Sequence, residues 1–260
     1  MSGIREAWVE TPLGPIEMAV AGRAVAGRPT LVLVHGIQGT RAVWEAVIPA
    51  LAKDWHVIAP NLRGRGGSFI VDDAGGYRMT EFADDLAAVT GSIAGDVVLV
   101  GWSMGGLVAL EYFRRKGSDR MAGLALVSTS ACLHAGGLAP AVWFRGDTPD
   151  ALIEEARGRA RRLKLTDTAA DIAVAGAWLS AAQVDYRPVL ASIDMPVLVV
   201  HGTADPECPP DHGKALAAGL ATSRLELWQG AGHVPMAEQP GVLAETLAAF
   251  AAGCCGAVAS

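Results

Sequence analysis

The stretch that decides the fold is VVLVGWSMGGLVAL, which runs from Val97 to Leu110. A short apolar run, typical of a buried strand, leads into Gly-x-Ser-x-Gly, and an apolar helical pattern follows. Ser103 is the central serine, with Gly101 and Gly105 two residues to either side. This context predicts a sharp strand-to-helix turn that carries a serine nucleophile, because a Cβ at either glycine would clash where the two backbones come close. The turn also places the hydroxyl at a helix N-terminus, where amide dipoles favour negative charge.

The composition predicts one α/β domain with a large core. The chain has 260 residues, of which 51% are hydrophobic and 18% are charged, and its formal net charge is −6. This length suits a single domain of that class, and the negative charge argues against nucleic acid as a partner. Since no apolar run reaches the roughly 20 residues that span a bilayer, no membrane association is expected.

The N-terminus and the cysteines favour a cytoplasmic protein. Residues 1–6 do not show a basic segment followed by a hydrophobic one, so no secretory signal is visible. The cysteines, Cys132, Cys208, Cys254 and Cys255, show neither metal-ligand spacing nor a disulfide framework. We therefore expect reduced thiols and no bound metal.

Strand-like and helix-like segments alternate along most of the chain, which is typical of a mainly parallel sheet covered by helices on both faces. The alternation stops at about residue 131, and helical patterns fill the chain as far as residue 192. We predict an eight-stranded α/β core over residues 1–130 and 193–260, with a helical cap over residues 131–192 inserted after the sixth strand.

One helix is expected directly after the third strand. Thr40 is a plausible N-cap for it. Apolar residues at helical spacing form one face of the segment as far as Leu51.

Two downstream residues are placed to complete a catalytic triad with Ser103. A serine hydroxyl needs a base, and the base needs a carboxylate that orients it. Asp205 follows a buried strand, and His233 lies in a glycine-rich loop after the next strand. Since strand ends at one edge of a parallel sheet share a crevice, all three residues could meet there. Asp185 and Asp194 are rival carboxylates, but neither follows a complete buried strand.

The other five histidines are weaker candidates for the base. His35 and His201 lie at strand ends before a glycine and are expected to be structural. His56 and His134 show no signal of a partner. His212 is expected to face solvent at the start of a helix.

From about Leu31 to its end, the chain resembles the α/β-hydrolase superfamily. The matching pieces are His35-Gly36 after the third strand, the segment 61–68 after the fourth, the Ser103 turn, the Asp205 loop and the His233 loop. The order Ser, Asp, His along the chain is the one found in that superfamily. One departure is Asn61, where this branch usually carries Asp. That position is not part of the triad in the resemblance, so the departure concerns the subfamily rather than the mechanism.

The resemblance implies a cofactor-free serine hydrolase that cleaves a small or medium carboxylic ester through an acyl-enzyme. Ser103 would be the nucleophile, His233 the base and Asp205 the orienting acid. The amides of Met104 and Ile37 would form the oxyanion hole. Serine rather than aspartate at position 103 argues against haloalkane dehalogenase or epoxide hydrolase chemistry.

Other activities remain open on the same residues. Lactonases, thioesterases, carbon–carbon bond hydrolases and perhydrolases use the same triad. A non-enzyme alternative is a ligand-binding receptor of this fold, which keeps the pocket and turns over little. The complete set of Ser103, Asp205 and His233 argues against a receptor.

The cap and the nucleophile region supply candidates for substrate contact. Trp143, Phe144 and Trp178 either line an apolar pocket or form the core of the insertion. Trp102 and Val234 are placed in the pocket by their proximity to the triad residues.

A basic run in the cap contains Arg157, Arg159, Arg161, Arg162 and Lys164. One interpretation is a solvated helix face balanced by Glu154 and Glu155. The alternative is a docking surface for an acidic carrier, such as an acyl carrier protein or the phosphates of coenzyme A. The resemblance gives this alternative slight support, because pimeloyl carrier-protein methyl esterases also show Gly-Trp-Ser-x-Gly-Gly and a basic lid.

Overall fold

The computed structural model describes residues 3–163 and 167–255, and the side chains of all of these except residues 162 and 163. One sheet forms in this part of the chain. Its strands are β1 (Arg5–Thr11), β2 (Gly14–Ala21), β3 (Thr30–Val34), β4 (Val57–Pro60), β5 (Val97–Trp102), β6 (Met121–Val127), β7 (Val197–Gly202) and β8 (Ser223–Trp228).

The strand order across the sheet is β1-β2-β4-β3-β5-β6-β7-β8. β2 pairs antiparallel with both β1 and β4, and the other neighbouring strands pair parallel. The predicted eight-stranded, mainly parallel α/β sheet is confirmed. The carboxyl ends of β3, β5, β6 and β7 consequently lie side by side at one edge.

Helices cover the sheet. Those described are α1 (Ile48–Leu51), α2 (Met79–Gly91), α3 (Met104–Lys116), α4 (Pro149–Leu163), α5 (Asp171–Ala181), α6 (Arg187–Leu190), α7 (Pro210–Gly219), α8 (Pro235–Glu238) and α9 (Pro240–Gly253), with 3₁₀ turns at Arg41–Trp44 and Ala74–Tyr77. Within the described ranges, no helix combines the length and the apolar character needed to cross a lipid bilayer.

The two faces of the sheet bury two separate apolar clusters. Along β5, Val97 and Leu99 pack with residues of α2 and α3, whereas Val98 and Val100 pack with residues of α1 and α9. A strand that is buried on both faces needs apolar side chains at every position. This is why β5 appears in the sequence as a continuous apolar run.

The segment after β3 differs from the single helix predicted there. Thr40 is an N-cap as expected, since its hydroxyl accepts a hydrogen bond from the Ala42 amide at 3.2 Å. It caps only the short 3₁₀ turn, and α1 begins separately at Ile48. Pro49 explains the interruption, because proline lacks an N–H and is tolerated only in the first turn of a helix.

The chain between β6 and β7 contains α4, α5 and α6, and its described residues form no strand. Trp143 and Phe144 from this segment belong to the same buried cluster as Leu99 of β5. The segment between β6 and β7 and the sheet thus share a continuous apolar core. The division into a core over residues 1–130 and 193–260 and a cap over residues 131–192 stays a prediction.

The glycines of the Ser103 turn give a test of the packing at this edge. A Cβ at Gly105 would lie 2.4 Å from the carbonyl oxygen of Val34, so Gly105→Ala must separate α3 from β3. We expect the free energy of unfolding to fall by roughly 1–3 kcal/mol, the usual cost of overpacking. Urea denaturation measures it.

Gly91→Ala is the matched control, since nothing lies within 4 Å of the Cβ it would add at the end of α2. Its stability should equal or slightly exceed that of the wild type, because alanine favours a helix over glycine. Equal stability of Gly105→Ala and the wild type would contradict the close approach.

Candidate active site

Ser103 lies in the turn between β5 and α3, in a backbone conformation that few non-glycine residues adopt. Its φ is 54° and its ψ is −121°. The Ser103 amide donates to the carbonyl of Val127 at 2.9 Å, and the Ser103 carbonyl accepts from the Thr129 hydroxyl at 2.7 Å. These contacts with the end of β6 hold a conformation that costs on the order of 1–3 kcal/mol. The predicted turn between a strand and a helix at Ser103 is present in the structure.

The structure brings Ser103, His233 and Asp205 together in one hydrogen-bonded chain. Nε2 of His233 lies 3.0 Å from Oγ of Ser103, and Nδ1 lies 2.8 Å from Oδ2 of Asp205. All three side chains are buried. Because an ionised carboxylate only accepts, the ring proton belongs on Nδ1, and Nε2 is left to accept from the serine.

The remaining oxygen of the Asp205 carboxylate is held by its own loop. Oδ1 accepts from the amides of Glu207 and Cys208, both at 2.9 Å. On the other side of this loop, Nε2 of His201 donates to the Cys208 carbonyl at 2.8 Å, and burial lowers the pKa of His201. His201 is therefore structural, as predicted.

The loop that carries His233 is held by residues of β5 and α8. The indole N–H of Trp102 donates to the His233 carbonyl at 2.8 Å, and the two rings lie 5.6 Å apart between centroids. The amides of Gly232 and Val234 donate to the Glu238 carboxylate at 2.8 and 3.3 Å. Contacts on both sides of the histidine therefore fix its loop.

The rival carboxylates are committed elsewhere. Asp185 pairs with Arg187, and Asp194 accepts from the Ser118 hydroxyl. Glu207 was not among the predicted site residues, yet its Oε2 lies 3.8 Å from Nε2 of His233. Its position two residues after Asp205 was the available signal.

The two amides predicted for the oxyanion hole are oriented by the carbonyls of their own peptide groups. The C=O and N–H of a trans peptide point in opposite directions. The Gly36 carbonyl accepts from Nδ1 of His35 at 2.8 Å, which directs the Ile37 N–H the other way. The Ser103 carbonyl is held in the same manner, and this directs the Met104 N–H.

His35 is neutral in this arrangement. Its Nε2 accepts from the Leu62 amide at 3.2 Å, so the ring proton lies on Nδ1. Burial, with a smaller effect from the charge of Arg65, lowers the pKa of His35 to about 3. Arg65 is itself buried and donates to the Ile37 carbonyl at 2.7 Å, so both ends of this loop are tied down.

The expectation that His212 faces solvent is wrong. Its ring is 1% exposed and contacts the Ser130 hydroxyl and the Ala139 carbonyl, each at 2.8 Å. The physical reason is tertiary, because the chain leaving β6 passes over the start of α7 and supplies both partners.

Asn61, the departure from the family pattern, completes a buried polar network. Its side chain donates to Glu17 and accepts from the Arg41 amide, both at 2.7 Å. Burial opposes ionisation of Glu17, but hydrogen bonds from Gly67, Asn61 and Arg41 outweigh it and keep its pKa below the usual value. An aspartate at this position could not donate to Glu17, and its negative charge would face that of the Glu17 carboxylate.

A cavity of about 270 Å³ opens beside Ser103 and His233. Trp102 and Val234 line it, in agreement with their predicted place, and Ala42 and Val43, which were not predicted to, form part of its apolar wall. Neither residue belongs to a motif, and only the fold shows that the segment after the Ile37 loop forms a wall of the cavity.

Of the two interpretations of Trp143, Phe144 and Trp178, the wall of an apolar pocket and the core of the insertion, the structure favours the second. They are not among the residues that line the cavity. The rings of Trp143 and Phe144 lie 5.7 and 6.0 Å from that of Trp178, and all three side chains are buried. They therefore belong to the buried apolar core of the segment between β6 and β7.

Two members of the basic run, Arg157 and Arg159, contact other residues of this chain. Arg157 pairs with Glu154 and Asp171. Arg159 lines the cavity, while Arg161 is exposed. The side chain of Arg162 and the whole of Lys164 lie outside the described residues.

Comparison with known proteins agrees with the fold. The model of the alpha/beta hydrolase family matches residues 31–246. A pimeloyl-[acyl-carrier protein] methyl ester esterase from Aromatoleum aromaticum is 31% identical over 82% of this chain and 94% of its own.

Solved structures show the same fold. An esterase from Exiguobacterium antarcticum superposes with a TM-score of 0.83, at 23% identity over 95% of this chain and 100% of its own. A thermophilic esterase from Thermogutta terrifontis gives a TM-score of 0.74, at 28% identity over 98% of this chain and all of its own.

The low pKa of His35 predicts how stability depends on pH. The folded chain keeps the ring neutral down to about pH 3, whereas the unfolded chain binds a proton below its ordinary pKa of 6.5. The unfolded state therefore binds more protons as the pH falls, and stability decreases below pH 6.5. Between pH 7 and 5 this histidine should account for a loss of about 2 kcal/mol.

His35→Asn should be less stable than the wild type at pH 7, but its free energy of unfolding should change less between pH 7 and 5. Urea denaturation at both values measures the difference. His201 acts in the same direction, so some pH dependence should remain. Parallel pH dependence in the variant and the wild type would refute the assignment.

Proposed function

Because the chain belongs to the α/β hydrolase family, we propose that it is a serine hydrolase that cleaves small or medium carboxylic esters through an acyl-enzyme. The observation that carries the proposal is the buried chain of hydrogen bonds from Ser103 through His233 to Asp205. The relatives named as esterases support an enzyme that acts on ester bonds.

Acylation begins at Oγ of Ser103. Its proton passes to Nε2 of His233 as the oxygen attacks the ester carbonyl carbon, and the Asp205 carboxylate stabilises the imidazolium through Nδ1. The carbonyl oxygen becomes an oxyanion that accepts from the Ile37 and Met104 amides. When the tetrahedral intermediate collapses, the imidazolium gives its proton to the leaving alcohol, and the acyl group stays on Ser103.

Deacylation repeats these steps with water. His233 accepts a proton from the water as it attacks the acyl carbon, and a second oxyanion forms at the same two amides. Collapse returns the proton to Oγ of Ser103 and releases the carboxylic acid. No cofactor takes part in either half-reaction.

The cavity favours a small or medium acyl group. Its volume of about 270 Å³ lies just below the usual range of ligand pockets, and Ala42, Val43 and Val234 give it an apolar wall. A lactone, thioester or carbon–carbon substrate would use the same residues, so these activities remain alternatives. A receptor needs no nucleophile aligned with a base, and the Ser103–His233 contact disfavours that alternative.

An ester carried on an acyl carrier protein is a second candidate. The similarity to the pimeloyl-[acyl-carrier protein] methyl ester esterase from Aromatoleum aromaticum favours it. Arg157 and Arg159 do not, because their guanidinium groups pair with carboxylates of this chain. A preference for carrier-bound over free ester that weakens with added salt would distinguish this candidate.

Ser103→Ala tests the nucleophile. It removes the attacking oxygen and leaves the oxyanion hole and cavity in place, so kcat for a p-nitrophenyl ester should fall by about 10⁴-fold or more. Circular dichroism and urea denaturation should match the wild type. A folded variant with near-wild-type activity would overturn the assignment.

Asp205→Asn tests the orienting acid against its rivals. The amide favours the wrong tautomer of His233, and the corresponding change in the trypsin-like triad lowers kcat by about 10⁴. Asp194→Asn is the matched control and should leave kcat unchanged, since Asp194 contacts Ser118 and not the histidine. A loss of less than tenfold in Asp205→Asn, measured on a folded protein, would rule out the role.

A further inference from the structure

A second carboxylate faces the catalytic imidazole from the cavity side. Oε2 of Glu207 lies 3.8 Å from Nε2 of His233, the nitrogen that exchanges its proton with Ser103 in the proposed function. Glu207 lines the cavity, and its side chain is 31% exposed. A carboxylate at this distance stabilises the protonated ring more than the neutral one.

The charge of Glu207 is opposed by an arginine from the cap. Nη2 of Arg159, on α4, donates to Oε1 of Glu207 at 2.5 Å. Nη1 donates to the side chain of Gln38 at 2.6 Å, and the guanidinium lies 5.9 Å from the centre of the Phe144 ring. Only 16% of the Arg159 side chain is exposed. The cation is therefore held in place behind the carboxylate by three neighbours.

We propose that Glu207 and Arg159 form a charge pair that sets the proton affinity of His233. Glu207 is the positioning residue for the imidazolium form, and Arg159 limits its effect. The inference rests on the proposed function, in which His233 is the base. Glu207 stabilises the positive charge that develops on the ring during attack. Arg159 weakens this effect enough that the ring is still neutral before the attack and can act as a base.

Other charged groups near His233 are left unsubstituted in the variants that test this pair, so a difference between the variants comes from Glu207 and Arg159. Asp205 contacts the opposite nitrogen, Nδ1, at 2.8 Å. Glu238 of α8 accepts from amides on either side of the histidine, and Asp167 of the cap accepts from the Thr40 hydroxyl across the cavity. His201 of β7 has its pKa lowered by burial, and its Nε2 donates to the Cys208 carbonyl.

The signs of the two substitutions are opposite. Glu207→Gln removes a negative charge from the ring, so His233 should lose its proton at a lower pH. Arg159→Gln removes the opposing positive charge, so His233 should keep its proton to a higher pH. In the double variant the two effects should largely cancel. A purely structural pair would instead change the rate at every pH and leave the midpoint in place.

The test is the rate at which diisopropyl fluorophosphate inactivates the protein between pH 5 and 9. This probe is uncharged and needs no knowledge of the natural ester. Oγ of Ser103 forms a bond to phosphorus, fluoride leaves with the P–F bonding electrons, and the serine proton passes to His233. The midpoint of the pH profile then reports the protonation of His233 in the free enzyme.

We expect the midpoint to fall by about one pH unit in Glu207→Gln and to rise by a similar amount in Arg159→Gln. The double variant should lie close to the wild type, and Arg159→Lys, which keeps the charge, should do the same. Both shifts should shrink in 1 M salt, because Glu207 is partly exposed and its charge is screened.

Matched controls come from α4, which carries Arg159, and from α7, which begins three residues after Glu207. Arg157→Gln removes a cation from α4, where Arg157 pairs with Glu154 and Asp171, and Asp211→Asn removes a carboxylate from α7, where it pairs with Lys214. Neither should move the midpoint.

An unchanged midpoint in Glu207→Gln alone overturns the inference, whether or not Arg159→Gln folds. Shifts of the same sign in both single variants overturn it as well. Absence of labelling at Ser103 in the wild type is a different result and refutes the proposed function instead.

Discussion

The turn from β5 into α3 is so tight that backbone atoms contact one another directly and leave no room for a side chain at its glycines. A Cβ at Gly101 would lie 2.5 Å from the carbonyl oxygen of Gly105, and one at Gly105 would lie 2.4 Å from that of Val34. This close approach of β5, α3 and β3 forces Ser103 to a φ of 54°. The nucleophile is thus fixed by the core of the sheet rather than by a flexible loop.

The same constraint orients the groups around the serine. The Ser103 carbonyl is held by Thr129 at the end of β6, which directs the Met104 amide, and the neutral His35 directs the Ile37 amide by holding the Gly36 carbonyl. Donors fixed before the reaction stabilise an oxyanion without reorganisation during it. The burial that keeps His35 neutral is therefore part of the architecture of the proposed oxyanion hole, although His35 does not touch the substrate.

The residues that meet at the site were predictable because each has a local signal. Ser103 and Asp205 each follow a buried apolar strand, His233 lies in the glycine-rich loop after β8, and parallel strands bring their ends together at one edge. Features that depend on tertiary packing were not predictable. His212 is buried by Ala139, which is 73 residues away, and Trp143 and Trp178 pack on each other rather than on the cavity. The direction of the Glu207 side chain likewise depends on a cap residue 48 positions earlier.

The central claim is that an acyl group is held on Ser103 during turnover. A p-nitrophenyl carbamate gives a slowly hydrolysed carbamoyl-enzyme. The release of nitrophenol in the first turnover can be followed by absorbance, and the carbamoyl-enzyme can then be digested for peptide mass analysis. We expect a burst of one nitrophenol per chain and a carbamoyl group on the peptide that contains Ser103. A burst with the group on any other residue would contradict that claim.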